Sequence, residues 1–163
     1  MFLIICAEME EAKNIKCDKA TILVTGAGVS NILKCPKLTY DPNDIVINVG
    51  YAGSNVYPRG IVASVKSVQK LTQSIVNEPI LGLEPLYIEG VACHTTDDFV
   101  KHADKELPLV DMELYYLRLL YPQIQSLKIV SDNFDYNDYK KANFKKSWDM
   151  VNECLNKAVQ YGR

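Results

Sequence analysis

Asp44-Ile45-Val46-Ile47-Asn48-Val49-Gly50-Tyr51-Ala52-Gly53 is the stretch that decides the fold. Its apolar residues run almost without interruption and then meet glycine. A strand with one wet face would alternate apolar and polar side chains, so a continuous run belongs to a sheet covered on both faces. The reading predicts a buried strand over residues 44–49, stopped by Gly50 and Gly53.

The same signature recurs in both directions along the chain. Strands are expected at residues 2–7, at 20–24, from Gly60 to Leu71, from Leu86 to Cys93, at 109–111 and at 126–131. Helices are expected between them: a short one after Gly28 that ends before Pro36, one over Glu113–Tyr121, and a last one carrying a stripe. That stripe, Phe144, Trp148, Val151, Leu155, Ala158 and Val159, repeats every three or four residues and reads as core packing. Asn137 or Asp138 is the candidate cap at its start. Covered strands alternating with helices give a layered α/β fold, and neither an internal repeat nor a linker divides the 163 residues.

Composition removes several functions. A hydrophobic content of 48% and a net charge of -2 exclude disorder. With 18 Lys+Arg against 20 Asp+Glu there is no basic excess for a nucleic-acid partner. Five cysteines, an odd count, do not make a disulfide framework, and Cys6 and Cys93 sit in apolar runs as small core residues. Two histidines, His94 and His102, and no CxxC pair supply too few ligands for a metal site. The apolar N-terminal run has no basic segment before it and meets Glu8, Glu10 and Glu11, so it reads as a strand rather than a signal peptide. No run is long enough to span a membrane, and the cytoplasm is the expected compartment.

In open α/β sheets ligands gather at the carboxyl ends of strands. Here those ends carry carboxylates and glycines: Glu8 to Glu11, Thr25 to Gly28, Asn48 to Gly53, Thr96 to Phe99, Asp111 to Glu113, and Ser131 to Asn133. Gly26-Ala27-Gly28 lacks the third glycine of a dinucleotide loop, since Asn31 stands there, and no Gly-Lys-Ser/Thr phosphate loop exists. Glu11, Glu113 and Asp132 are the candidates to face one pocket. One carboxylate accepts hydrogen bonds from the hydroxyls of a polyol such as ribose. A second protonates a nitrogen leaving group, and a third takes a proton from water, which together describe cleavage of an N-glycoside.

The chain resembles the nucleoside phosphorylase and nucleosidase superfamily, above all its methylthioadenosine/adenosylhomocysteine nucleosidase branch. The resemblance is carried, in order, by Ile5–Glu11, Thr25–Asn31, Ile47–Gly53, Thr96–Phe99, Val110–Glu113 and Ile129–Asp132. It implies a three-layer α/β fold with a central mixed twisted sheet flanked by helices, in a shortened single domain spanning residues 1–163. It assigns Glu11 to activation of the attacking water and Asp132 to protonation of purine N7 as the base leaves. Met112 and Glu113 would hold the ribose and Phe99 would stack on the base, while Thr25, Gly26, Gly28, Gly50 and Ser131 would flank the substrate. No metal or organic cofactor is implied, and a homo-oligomer of two or more copies is. Three residues depart from the family pattern. Tyr51 replaces a small residue, Lys128 stands where an arginine is usual, and Glu8 leaves Glu10 as an alternative to Glu11.

Phosphorolysis needs a grip on phosphate, best made by arginine forks. The three arginines, Arg59, Arg118 and Arg163, read as a surface residue, a helix residue and the C-terminus, and the first strand ends in acids that repel phosphate. Water is therefore the expected nucleophile on a purine nucleoside. A phosphate-dependent phosphorylase and a non-catalytic nucleoside-binding homologue are the alternatives.

Overall fold

The computed structural model describes residues 1–34, 41–72, 79–87, 89–135, 137 and 143–162. Along the chain these form β1 (Phe2–Cys6), α1 (Met9–Ala12), β2 (Thr21–Val24), α2 (Val29–Lys34), β3 (Ile45–Gly53) and β4 (Val62–Lys70). There follow β5 (Ile80–Gly82), β6 (Gly90–Thr95), β7 (Leu109–Asp111), α3 (Leu114–Leu120), β8 (Gln125–Asp132) and α4 (Lys145–Tyr161). Cys35, Pro36, Ile88, Asp138 and Arg163, each part of a sequence expectation, lie outside the described residues.

The expected α/β architecture is present, with one mixed sheet buried on both faces. Alternate side chains of the apolar strands go to opposite sides. Leu3, Ile5, Val46 and Ala52 pack with Ile32 of α2 and Leu114 and Leu117 of α3. Ile4, Cys6, Ile47 and Val49 pack with Trp148, Val151 and Leu155 of α4. This is why the stretch read first shows no polar alternation.

The sheet is more than a flat layer. β3 pairs in parallel with β1 through its first half and with β8 along its other edge, and its last residue, Gly53, meets Val110 of β7. β8 also pairs with β4, β4 with β6, and β6 with β7. Strands β3, β8, β4, β6 and β7 thus close on themselves. Closure leaves none of these five strands as an edge and brings the ends of β3, β7 and β8 together.

Three local readings differ from the structure. β3 does not stop at Gly50 but runs through to Gly53, because both glycines are paired with β8. The strand expected from Leu86 lies at Gly90–Thr95, and β5 at Ile80–Gly82 and the single turn α1 carry too little periodicity to be read. At the start of α4, Asn137 is not the cap; Asn143 Oδ1 accepts from the Lys145 N–H at 3.1 Å.

Leu155 is fully buried between α4 and the sheet. Leu155→Ala should lower the unfolding free energy by about 2–5 kcal/mol, read from urea denaturation with an unchanged m-value.

Candidate active site

Six of the expected residues come together. A cavity of about 220 Å³ at the carboxyl ends of β1, β3, β7 and β8 is lined by Glu11, Phe99, Met112, Glu113, Ser131 and Asp132, with Glu8, Asp111 and Tyr51 also in its wall. It continues into a niche of about 30 Å³ that adds Thr96, Val100 and Phe134 to Phe99, Met112 and Asp132. Thr25, Gly26, Gly28 and Gly50 do not line either space. Gly28 acts from behind, since its N–H donates to Glu113 Oε1 at 2.9 Å.

The turn after β1 decides which acid enters. In the single turn of α1, Glu11 is the third residue after Glu8 and folds back over its own helix start. Its Oε1 accepts from the N–H groups of Ala7 and Glu8 at 3.0 and 2.9 Å, and its Oε2 accepts from the Tyr51 N–H of β3 at 2.9 Å. Glu10, one residue earlier, is exposed and pairs with Lys13. A β-carbon on Gly50 would stand 2.7 Å from Glu11 Oε2 and 3.7 Å from Lys128 Nζ. Glycine at 50 therefore makes the space that the Glu11 carboxylate occupies.

An ion pair that the sequence did not signal joins Asp111 of the cavity wall to Lys128 behind it. Lys128 Nζ donates to Asp111 Oδ2 at 2.9 Å, with only 2% and 0% of the two side chains exposed. The Asp111 carboxylate also accepts from Thr95 Oγ1 at 2.5 Å and from the Leu114 N–H at 2.8 Å. Thr95 Oγ1 in turn accepts from the Tyr115 N–H. Burial works against the Lys128 charge, but Asp111, with Cys93 and Glu113, outweighs it and holds the ammonium above its ordinary pKa. Burial pushes the Glu11 carboxyl up, against the pull of Lys128 and of the Tyr51 and Glu8 N–H groups. Burial, then the charge of Asp111, pushes Glu113 up to about 7, opposed by Lys128 and by the Gly28 N–H.

Asp132 closes the other end. A bulge in the β3–β8 pairing at Ala52/Gly53 sets Asp132 opposite Gly53, and bulges re-aim side chains in this way. Asp132 Oδ1 accepts from the Phe134 N–H at 3.0 Å. Ser131 Oγ lies 2.7 Å from Asp132 Oδ2 and 3.5 Å from the Ala52 carbonyl, so its hydrogen can serve either oxygen. Phe134 has φ +70°, a left-handed conformation that is costly for a bulky residue. It packs against the space beside Gly53, where a β-carbon would meet Asp132 Oδ1 at 2.9 Å and the Phe134 ring at 3.0 Å.

Tyr51 does not fill the cavity. Its ring turns toward α4, 5.3 Å from Phe144 and 5.8 Å from Trp148, and its hydroxyl accepts from Trp148 Nε1 at 2.9 Å. Arg59 is exposed, as the sequence suggested, yet its Nε donates to the Ser131 carbonyl at 3.0 Å and steadies the strand end beside Asp132. Phe134 and Thr95 were not anticipated; a positive φ and a cross-strand register leave no trace in residue type.

No protein-family model matches the chain, and no curated protein sequence matches it. Solved structures do. The nucleosidase MTAN of Chlamydia trachomatis is 20% identical with a TM-score of 0.78, over 99% of this chain and 98% of that one; an aspartate-to-asparagine variant of it has also been solved bound to MTA. The 5′-methylthioadenosine/S-adenosyl homocysteine nucleosidase of Helicobacter pylori is 12% identical, with a TM-score of 0.72 over 98% of this chain and 97% of that one. Futalosine hydrolase of the same organism is 13% identical at a TM-score of 0.72, over 98% and 97% of the two chains. The chain has the fold of these nucleosidases, the fold that the sequence resemblance implied.

The raised Glu113 carboxyl makes stability depend on pH. Below pH 4.5 both folded and unfolded chains hold the proton; between 4.5 and about 7 only the folded chain does, so stability falls as pH rises, and above 7 the loss is complete. Wild type should lose up to about 3 kcal/mol relative to Glu113→Gln across that window, measured by denaturant unfolding at pH 4.5 and 8. A difference that stays flat with pH would contradict the assignment.

Proposed function

We propose that the chain hydrolyses the N-glycosidic bond of a purine nucleoside. The observation that carries this reading is the composition of the cavity wall. Glu8, Glu11, Asp111, Glu113 and Asp132 line it with Phe99 and Met112, and no lysine or arginine is among its described lining residues. Five acids favour a developing positive charge and repel phosphate, so water is the nucleophile. The likeness to nucleosidases, one of them solved with MTA, supports the same choice.

In this mechanism the ribose lies on Met112, and its hydroxyls donate to the Glu113 carboxylate. The purine lies in the cavity against Phe99, with its N7 edge toward Asp132. As the C1′–N9 bond breaks, its electron pair goes to the purine and a ribosyl cation develops among the carboxylates. Asp132 gives its proton to N7, and the Ser131 hydroxyl and the Phe134 N–H donate to the carboxylate that is left. Glu11 takes a proton from the water whose oxygen bonds to C1′. The products are the free base and the free sugar, and no cofactor takes part. Thr25, Gly26, Gly28 and Gly50 then support the site from behind rather than touch the substrate.

The wider proposal is a single domain over residues 1–163 that works in the cytoplasm as a homo-oligomer of two or more copies. The free thiols of Cys6, Cys17, Cys93 and Cys154 suit a reducing compartment. Among the described residues no helix is long and apolar enough to cross a membrane. The net charge of -2 argues against a nucleic-acid partner.

Purified protein incubated with a panel of purine nucleosides should release free base without phosphate. Asp132→Asn and Glu11→Gln should each slow release by about 10²-fold or more while the circular dichroism spectrum stays unchanged. Ionised Glu113 is the form that accepts from ribose, so KM should fall as pH rises through about 7. Base release only in the presence of phosphate would show a phosphorylase instead. Nucleoside binding without release would show a non-catalytic homologue.

A further inference from the structure

Lys128 belongs to none of the roles given above. Its ammonium does not line the cavity, yet among the described residues it is the only cation placed against the three buried carboxylates there. Asp111 of β7 holds it directly. Glu11, at the end of α1, approaches it over Gly50, where both groups lie within 4 Å of one point. Glu113, at the start of α3, feels its charge together with those of Asp111 and Glu11. Cys93 of β6, buried beside the same ammonium, completes the titratable groups facing it. Asp111 cannot swing away, since Thr95 Oγ1 and the Leu114 N–H fix both its oxygens.

We propose that Lys128 is the positioning residue of this site: one buried ammonium, clamped by Asp111, is the shared countercharge of Glu11, Asp111 and Glu113, and it decides how many of them face the sugar ionised. The proposal rests on the nucleosidase reading for its consequence in turnover. Its physical content does not. Three largely buried carboxylates against one ammonium leave an excess of negative charge with little water to screen it, a state that burial opposes. The cluster therefore retains a proton, and the position of Lys128 determines which carboxylate carries it. A lysine kept only for packing would hold the strands together without affecting that choice.

The test is a carboxyl titration of the ligand-free full chain labelled with ¹³C at glutamate side chains, the Glu113 signal being identified by its loss in Glu113→Gln. Removing the ammonium in Lys128→Met should raise the Glu113 midpoint by about one pH unit or more. Removing the neighbouring anion in Asp111→Asn should lower it, and Lys128→Arg, which keeps the charge, should leave it close to wild type. Asp111→Asn keeps the question open to decision even where Lys128→Met fails to fold. A Glu113 midpoint that stays put in Asp111→Asn, or in a folded Lys128→Met, would overturn the proposal. Turnover is read separately. If wild type releases no base from any nucleoside, the nucleosidase reading fails while the titration still judges Lys128. If it does, the pH dependence of KM in each variant should move with the Glu113 midpoint.

Discussion

A lysine ammonium buried against an aspartate is a costly arrangement in a chain of this size. Taking both charges out of water is repaid only where geometry and further hydrogen bonds are good, and an apolar pair often serves stability better. Lys128 and Asp111 meet that condition through Thr95 and the Leu114 N–H. The position they occupy explains their presence. Asp111 stands in the wall that holds Glu11 and Glu113, Lys128 lies directly behind it, and the ammonium opposes the effect of burial on both of those carboxylates.

The rest of the fold delivers residues to that point. Closure of β3, β8, β4, β6 and β7 sets Thr95 beside Asp111 in the β6–β7 register and Gly50 beside Lys128 in the β3–β8 register. The missing side chain at Gly50 opens room for Glu11, which arrives from the turn after β1. The bulge at Ala52/Gly53 and the left-handed Phe134 do the corresponding work for Asp132. Unfavourable features thus collect at one end of the sheet, while the apolar layers on either face supply the stability that tolerates them.

Much of the architecture was legible because burial on both faces leaves a pattern in residue type. Continuous apolar runs marked β1, β3, β7 and β8, and the three- and four-residue stripe marked α4. Short elements escaped: α1 is one turn and β5 three residues, too brief for a period to show. The glycines at 50 and 53 were read as strand ends by their usual habit, but within β3 they admit carboxylates and a ring from elsewhere in the chain. Tyr51, conspicuous in the sequence as a bulky replacement, points to Phe144 and Trp148, and only the packing of α4 settles that direction.

Residue type and order alone determined the layered α/β class, the strand ends where chemistry would sit, and the acids to watch there. These are local properties, set by hydrophobic period and by glycine and carboxylate placement. Which of Glu10 and Glu11 enters the cavity, how Lys128 finds Asp111, and which way Asp132 is aimed were decided only in three dimensions. The first depends on the turn after β1 meeting Gly50 and Tyr51 of β3, and the other two on the register between strands distant in the chain, where a shift of one residue would turn the side chain to the opposite face.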